Sequence, residues 1–270
     1  MTGRVDAERL GFAIAVLGGP TTVLDIAGSR LVVDPTFDPP GEKGYLTKLR
    51  GPAMSEADLG PVDAVLVSHD LHPDNLDDRG RAFALAAPLL VTGPRSAGRL
   101  GPTATALSAW ETVSLPRGDR AGDIAIRAVP AMHGPADGVR DEDGHVNCEV
   151  TGFVLSGEGV PTVYVSGDNA SIAVVVEVAR RAGPIDVAVL FVGAARVPSK
   201  ERGRPLTLTS ERAAAAAAVL GAPLVVPAHY DSWAHFSEGS EPIVEAFDEA
   251  GLSRVLRMAD PGTWVIPTSS

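Results

Sequence analysis

Two histidines and four aspartates stand within ten residues of one another, between positions 69 and 78. They follow a short apolar run directly, in the stretch LVSHDLHPDNLDD, residues 66–78. Imidazole and carboxylate groups at this density lower stability unless they are solvated, cap a helix or hold a cation. His69, His72 and Asp74 are therefore candidates for metal ligands or for acid–base groups.

Residues of the same kind end three further apolar runs. His133 follows IRAVPAM, Asp168 follows TVYVSG, and His229 follows PLVVPA. Side chains at the ends of neighbouring strands meet at one edge of a sheet. Four strand ends that each deliver His or Asp favour a metal site, because a cation takes ligands from several directions. Imidazole and carboxylate without thiolate suit Zn, Mn or Fe, and the one cysteine, Cys148, is interpreted as a small packing residue.

The elements that would position these residues are short strands and a few helices. Apolar runs predict strands at 12–17, 21–28, 29–35, 62–68, 88–92, 123–129, 151–156, 161–166, 186–192, 223–227 and in the last segment, GTWVIP. Helices are predicted at 74–86, 170–182, 210–220 and 241–250. The order along the chain is a run of strands and then strands that alternate with helices, and this order occurs twice. It predicts an α/β protein of layered sheets with outer helices, in one domain over residues 1–270.

Composition excludes several classes of function. The formal net charge of −11 argues against a general nucleic-acid binder or a protein of anionic membranes. No apolar run approaches the ~20 residues that span a bilayer, and the N-terminal apolar run is too short for a signal peptide. The sequence therefore predicts a cytoplasmic protein with a small-molecule partner and no nucleic-acid or membrane partner. A homo-oligomer is compatible with the sequence, which does not indicate an oligomeric state.

Taken in order, these motifs resemble the metallo-β-lactamase-fold hydrolases, and they are most similar to the branch that contains the ascorbate-phosphate lactonases. The family motif Ser/Thr-His-x-His-x-Asp-His reads Ser68-His69-Asp70-Leu71-His72-Pro73-Asp74-Asn75 here. The segments GSRLVVDPTF, MHGP, VSGDNA and VVPAHYDSWAHF match that branch in kind and order, over roughly residues 12–266. The resemblance implies a four-layer αββα sandwich with a metal site at one edge, between the two sheets.

The motif departs from the family pattern at two points. One residue is inserted between its first two histidines, and its last histidine is Asn75. Counted from the serine, His69 and His72 take the first two positions through a bulged loop; counted from Asp74, Asp70 takes the first position instead. We favour the first register, with Asp70 as a partner of the ligands or a substitute ligand. Asn75 is interpreted as a helix cap rather than a ligand, a role that Asp74 could also fill.

The resemblance implies a role for each matched residue. Three histidines would hold one cation, and Asp168 would bridge toward a second. Asp74 and His229 would hold that second cation, or orient water if it is missing. The implied metal ligands are His69, His72, Asp74, His133, Asp168 and His229. The implied catalytic residues are Asp74 and Asp168, which would orient an activated water, and His235, which would contact the substrate or protonate a leaving group.

The predicted function is a metal-dependent hydrolase that uses one or two divalent ions, Zn or Mn, on an ester, a lactone or a phosphoester. A mononuclear enzyme with another chemistry is one alternative. A degenerate member that binds a ligand or partner without hydrolysis is another, and the altered motif at 69–75 favours it. The presence of His133, Asp168 and His229 argues against such decay.

Overall fold

The computed structural model describes residues 3–266. The strands in that range are β1 (Phe12–Gly18), β2 (Thr21–Ile26), β3 (Ser29–Val33), β4 (Gly41–Lys43), β5 (Leu46–Lys48), β6 (Ala64–Val67), β7 (Leu90–Thr92), β8 (Ala104–Ala106), β9 (Thr112–Pro116), β10 (Asp123–Pro130), β11 (Thr151–Gly157), β12 (Val160–Val165), β13 (Val187–Phe191) and β14 (Leu224–Ala228). The α-helices are α1 (Asp78–Ala86), α2 (Pro94–Leu100), α3 (Ile172–Ala182), α4 (Ser210–Leu220) and α5 (Ser240–Glu249). No helix in residues 3–266 is both long and apolar enough to cross a membrane.

The longer strands form two six-stranded sheets, with the order β1-β2-β3-β6-β7-β8 in one and β14-β13-β12-β11-β10-β9 in the other. In the first sheet β1, β2 and β3 are antiparallel, whereas β3, β6, β7 and β8 run parallel. In the second, β9 to β12 are antiparallel and β12, β13 and β14 are parallel. Each sheet therefore has a parallel half, whose strands end at a common edge.

The inner faces of the two sheets pack against each other, and this contact forms the central core. Leu24 and Leu66 of the first sheet lie in one buried cluster with Phe153 and Val189 of the second. Alternate residues of these strands point outward, where helices cover them.

Helices cover the outer face of each sheet. Val178 of α3, Ala216 of α4 and Phe247 of α5 pack in one cluster with Leu190 and Val225 of the second sheet. Helices α1 and α2 cover the first sheet, through Ala84 and Leu100 in a cluster with Val65. The layers are thus helix, sheet, sheet and helix, which confirms the predicted αββα sandwich.

Turn and capping residues set several of the predicted bounds. Helix α4 begins and ends where the sequence predicted, because Thr209 caps its first turn and Gly221 adopts the left-handed conformation that ends it (φ 62°). The hairpin between β2 and β3 turns at Ala27 and Gly28, which both have positive φ. A Cβ at Gly28 would lie 2.8 Å from the backbone nitrogen of Asp119, so the turn also needs glycine for space.

Other predictions differ from the structure. The helix predicted at 74–86 starts at Asp78, because Asp77 is its N-cap: the Asp77 side chain accepts a hydrogen bond from the backbone N–H of Gly80. The sequence did not predict α2, β8 and β9, which are short and carry little apolar periodicity. The predicted final strand is reduced to two isolated bridges, of Thr263 with Arg4 and of Val265 with Ile14, and the last residue of GTWVIP lies outside the described residues.

Candidate metal centre

The predicted ligands meet at the edge where the parallel strands of both sheets end. His69 follows β6, Asp168 follows β12 and His229 follows β14. His133 follows β10, which is antiparallel to β11 and also ends at this edge. All these side chains are buried, and the turn after each strand carries them into the space between the sheets.

Three imidazoles lie side by side in what we call the three-histidine group, His69, His72 and His133. The Nδ1 atom of His72 lies 2.8 Å from Nε2 of His69 and 3.1 Å from Nε2 of His133. Nδ1 of His133 lies 3.0 Å from the carbonyl oxygen of Leu206, to which it can only donate, so Nε2 of that ring presents its lone pair to the group.

Burial keeps the three imidazoles uncharged. It lowers the pKa of His69 and His72 well below the usual value, and the neighbouring imidazoles lower both further. The pKa of His133 is also lowered by burial, although Asp168 opposes the shift. Neutral imidazole is the form that binds metals, so these rings are ready for a cation at neutral pH.

A second set, the carboxylate group, consists of Asp74, Asp168 and His229. Nε2 of His229 lies 3.3 Å from an oxygen of Asp74 and 3.3 Å from Oδ1 of Asp168, without hydrogen-bond geometry. The other oxygen of Asp168 lies 3.6 Å from Nε2 of His133. Asp168 therefore stands between the two groups, as expected for a bridging ligand.

Charge sets the protonation of the carboxylate group. Burial disfavours the Asp74 carboxylate, but His235 and His229 outweigh this effect and hold the pKa of Asp74 well below its usual range. Burial likewise opposes a charged His229, yet the carboxylates of Asp168 and Asp74 raise its pKa. The group thus concentrates negative charge around one imidazole, and this charge would attract a divalent cation.

Buried polar atoms without partners test whether the residues fit a metal ion. Oδ1 of Asp74, Oδ2 of Asp168 and both ring nitrogens of His229 are buried and make no hydrogen bond within the described residues. A buried polar atom that lacks a partner costs about 1–3 kcal/mol, and more when it is charged. Imidazole nitrogens and carboxylate oxygens that converge from several strands are suitable ligands for a divalent transition metal. The donor set therefore fits a metal ion.

Aromatic packing holds His229 in place. Its ring is stacked on Phe191, with centroids 5.4 Å apart, and also contacts the ring of Phe236, which is tilted by 40° with centroids 4.1 Å apart. The backbone N–H of His229 donates to the carbonyl oxygen of Gly19, and its φ of 63° lies in the left-handed region. A non-glycine residue held in this conformation indicates a position that the surrounding structure determines.

Asn75 does not cap helix α1, so that interpretation is wrong. Its Nδ2 group donates hydrogen bonds to Oδ2 of Asp34, at 3.0 Å, and to Oδ1 of Asp168, at 3.1 Å. The amide is oriented with its donors toward two carboxylates, which is the favourable assignment. Asn75 thus fixes one oxygen of Asp168 and leaves the other facing the three-histidine group.

Asp34 supports both groups from behind, and the sequence did not single it out. It accepts hydrogen bonds from the backbone N–H and the hydroxyl of Ser68, each at 2.6 Å, and the Ser68 oxygen lies 3.0 Å from Nδ1 of His69. Burial raises the pKa of Asp34 to about 7, although hydrogen bonds from Ser68 oppose the shift. The signal was present in LVVD, where an apolar strand ends in an aspartate as at the other ligand positions.

Asp70 faces away from both groups. Its carboxylate accepts two hydrogen bonds from Nε of Arg99, at 2.9 and 3.0 Å, and Arg81 lies 3.6 Å away. The structure therefore places His69, and not Asp70, beside His72. The extra residue of the motif forms a bulge that α2 anchors through Arg99, and this geometry does not fit a substitute-ligand role for Asp70.

Three polar side chains surround the small cavity in front of the ligands. Nε2 of His235 lies 2.9 Å from an oxygen of Asp74, while its Nδ1 has no partner within residues 3–266. Nζ of Lys200 lies 2.8 Å from Nε2 of His72 and 3.1 Å from the hydroxyl of Tyr45. The structure thus brings His235 to the site, where the sequence predicted it, and adds Tyr45, which the sequence did not indicate.

Comparison with known proteins identifies the family. The family described as beta-lactamase superfamily domain matches residues 29–230. The chain belongs to this family. A relative from Methanosphaerula palustris, named UPF0173 metal-dependent hydrolase, is 27% identical over 205 residues, which cover 74% of this chain and 83% of the relative.

Solved structures share the fold at low sequence identity. An isothiocyanate hydrolase from Delia radicum gut bacteria superimposes with a TM-score of 0.78 at 19% identity, over 95% of this chain and 100% of its own. Igni18, a metallo hydrolase from Ignicoccus hospitalis, gives a TM-score of 0.69 at 20% identity, over 94% and 97% of the two chains. At these identities the likeness shows the fold alone.

Proposed function

We propose that this chain is a metal-dependent hydrolase whose three-histidine group and carboxylate group hold one or two divalent metal ions, Zn or Mn. One observation carries the proposal: buried imidazoles and carboxylates from the ends of separate strands converge, with Asp74, Asp168 and His229 presenting unpartnered polar atoms within the described residues. Relatives named metal-dependent hydrolases support it. A divalent ion bound there would supply a water whose pKa is lowered to about 7.

The chain's own residues would orient the water and the substrate. His235 and Asn75 hold Asp74 and Asp168 in place, so the carboxylate oxygens can accept hydrogen bonds from an attacking water. His235 bonds to Asp74 through Nε2, and its Nδ1 would hold a proton for the leaving group. Lys200 and Tyr45 stand at the mouth of the cavity, where they would contact the substrate.

The substrate we propose is a small ester, lactone or phosphoester. A site of this kind activates water against an electrophilic carbon or phosphorus centre, and the cavity in front of it is small. The resemblance to the ascorbate-phosphate lactonases stays a prediction, and fold alone does not select among these substrates.

The test is hydrolysis by metal-loaded protein of a panel that contains an aryl ester, a sugar lactone and a phosphodiester. An isothiocyanate, the substrate named for one structural relative, completes the panel. We expect turnover of at least one compound, loss of that turnover after chelation, and its return with Zn or Mn. The matched control is His133→Ala, which should remain inactive with either metal. Metal binding without turnover of any compound would favour the alternative function, a protein that binds a ligand or partner without hydrolysing it.

A further inference from the structure

Cys148 lies beside the three-histidine group, although the sequence favoured a packing role for it. Its sulfur and one ring nitrogen each of His69, His72 and His133 all lie within 4.8 Å of one another. The side chain is buried. Four-coordinate zinc with Zn–N of ~2.1 Å and Zn–S of ~2.3 Å needs ligand atoms roughly 3.3–3.7 Å apart. Shifts of less than about 1 Å would bring these four atoms to such an arrangement.

A second observation points to a cation at the same place. Oδ2 of Asp168 is 3.6 Å from Nε2 of His133 and 4.0 Å from Nε2 of His69, and it has no hydrogen-bond partner within residues 3–266. Asp168 is 1% exposed, so water does not compensate this oxygen at the surface. A carboxylate oxygen left in this position beside neutral imidazoles is explained by a positive ion between them.

The chain on both sides of Cys148 is fixed to the rest of the site. Its backbone N–H donates to the carbonyl oxygen of Val146, and Asn147 between them has a φ of 68°. The side chain of Glu149 accepts a hydrogen bond from the backbone N–H of Arg95, and the N–H of Thr151 donates to the carbonyl oxygen of Ser68. Contacts on either side of Cys148 therefore hold the segment that carries the sulfur close to Ser68 and the histidine that follows it, as a ligand position requires.

We propose that Cys148 is a fourth protein ligand of the metal ion at the three-histidine group, which makes this position a three-nitrogen, one-sulfur site for a thiophilic ion of the zinc class. The inference rests on the proposed function, since it concerns the same metal centre. Thiolate prefers zinc or cobalt to manganese, so Cys148 decides which metal the group takes. Four protein ligands leave this ion no open position, so the activated water of the proposed function would be bound by an ion at the carboxylate group, with Asp168 between the two groups.

The binding step is balanced without any redox partner. The S–H bond of Cys148 breaks, its proton passes to the buffer, and the electron pair of the sulfur forms the bond to the metal. The histidines enter as neutral ligands and release no proton.

Cobalt(II) gives a direct readout that does not depend on activity. The full chain is stripped with a chelator and loaded with one equivalent of CoCl₂, bound cobalt is measured by mass spectrometry, and the near-ultraviolet spectrum is recorded. We expect a thiolate-to-cobalt charge-transfer band in the natural protein. Cys148→Ser should still bind cobalt but lose the band. Its preference for zinc over manganese should also fall by at least ~10-fold, since loss of a residue that only orients a metal ligand already costs that much affinity.

Two controls separate ligation from packing. Val150→Ala removes buried volume from the same segment and keeps the sulfur, so its band should persist. X-ray absorption at the zinc edge of the natural protein should show one sulfur at ~2.3 Å, and this result stands even if Cys148→Ser does not fold. Bound cobalt with no band, or bound zinc with no sulfur, would overturn the ligand assignment and leave the hydrolase proposal intact. No binding of either metal would overturn both.

Discussion

The two groups of the candidate metal centre differ in how their side chains are held and charged. In the three-histidine group the rings are neutral, and the nitrogens of neighbouring rings lie 2.8 and 3.1 Å apart. The hydroxyl of a serine and a backbone carbonyl oxygen fix the orientation of two of these rings. In the carboxylate group aromatic packing holds the ring of His229, and Asp74 already bonds to His235.

Because of this difference, we expect the two groups to bind a metal ion with different affinities. A set of preoriented neutral ligands needs little rearrangement to receive a cation, whereas Asp74 and Asp168 must first give up or share their contacts with His235 and Asn75. Next to the carboxylate group, Asn75 stands where the family pattern has a histidine, and its side chain donates a hydrogen bond to Asp168. We therefore expect the three-histidine group to bind its ion more tightly.

The largest expected effect is that of His133→Ala. Apparent zinc affinities of about 10–16 kcal/mol for four ligands correspond to about 3 kcal/mol for each, so loss of this ligand should weaken zinc binding by at least ~100-fold. Competition with a chromophoric chelator measures the change. His145→Ala, in the turn at residues 141–145, is the matched control and should keep full affinity. Equal affinity in the two variants would contradict the assignment of His133 as a ligand.

Asp74→Asn should separate the two groups. The variant should lose the ion at the carboxylate group, since an amide is a weaker ligand than a carboxylate, and keep the ion of the three-histidine group. Titration with zinc, followed by calorimetry, should show one binding event in place of two. Asp78→Asn changes an exposed aspartate in the first turn of α1 and serves as control. Loss of both binding events in Asp74→Asn would mean that the groups do not act separately.

Asn75→Leu tests a smaller, indirect contribution to the carboxylate group. The substitution removes the hydrogen bonds to Asp34 and Asp168 with little change in volume. The affinity of the carboxylate group for its ion should fall by roughly 10–100-fold, which is the usual effect of removing a residue that orients a metal ligand. Urea unfolding should show a loss of about 1–3 kcal/mol from the unpaired carboxylates. An unchanged second affinity would indicate that Asp168 keeps its orientation without Asn75.

The last effect is on stability and not on metal affinity, and it concerns Asp34, which lies behind both groups. Its pKa is raised to about 7 in the folded protein from 3.8 in an unfolded chain, so the folded state holds a proton that the unfolded state has released between about pH 4 and 7. The free energy of unfolding of metal-free protein should therefore decrease as pH rises through this window. Asp34→Asn should remove that part of the decrease in urea unfolding with chelator present. Parallel pH profiles for the two proteins would show that Asp34 is not protonated in this range.

The sequence predicted where the candidate ligands lie because their signal is local. Each apolar run that ends in His or Asp marks a strand and its last residue together, so the pattern alone was enough to place His133 and Asp168 at one sheet edge. Asn75, Asp70 and Cys148 carry no such signal. Their roles depend on contacts with Asp168, with Arg99 and with the three-histidine group, which are formed only when distant segments pack.

The difference between local and long-range signals also explains which helices and strands the sequence did not predict. Helix α4 has a cap, a run of alanines and a glycine stop, all of which can be read locally. Helix α2 has Gly93 at its N-cap and Gly98 inside, and what stabilises it is tertiary: Arg99 binds Asp70, and Leu100 packs on the first sheet. Sequence patterns do not contain this information.

The metal content of the chain tests the central claim most directly. Protein purified without tag or chelator is dialysed against metal-free buffer, and its metal-to-protein ratio is measured by inductively coupled plasma mass spectrometry before and after reconstitution with zinc. We predict about one ion per chain that survives dialysis, held by the three-histidine group, and a second that binds on reconstitution. A ratio no higher than that of His133→Ala, even after reconstitution with zinc and manganese, would contradict it.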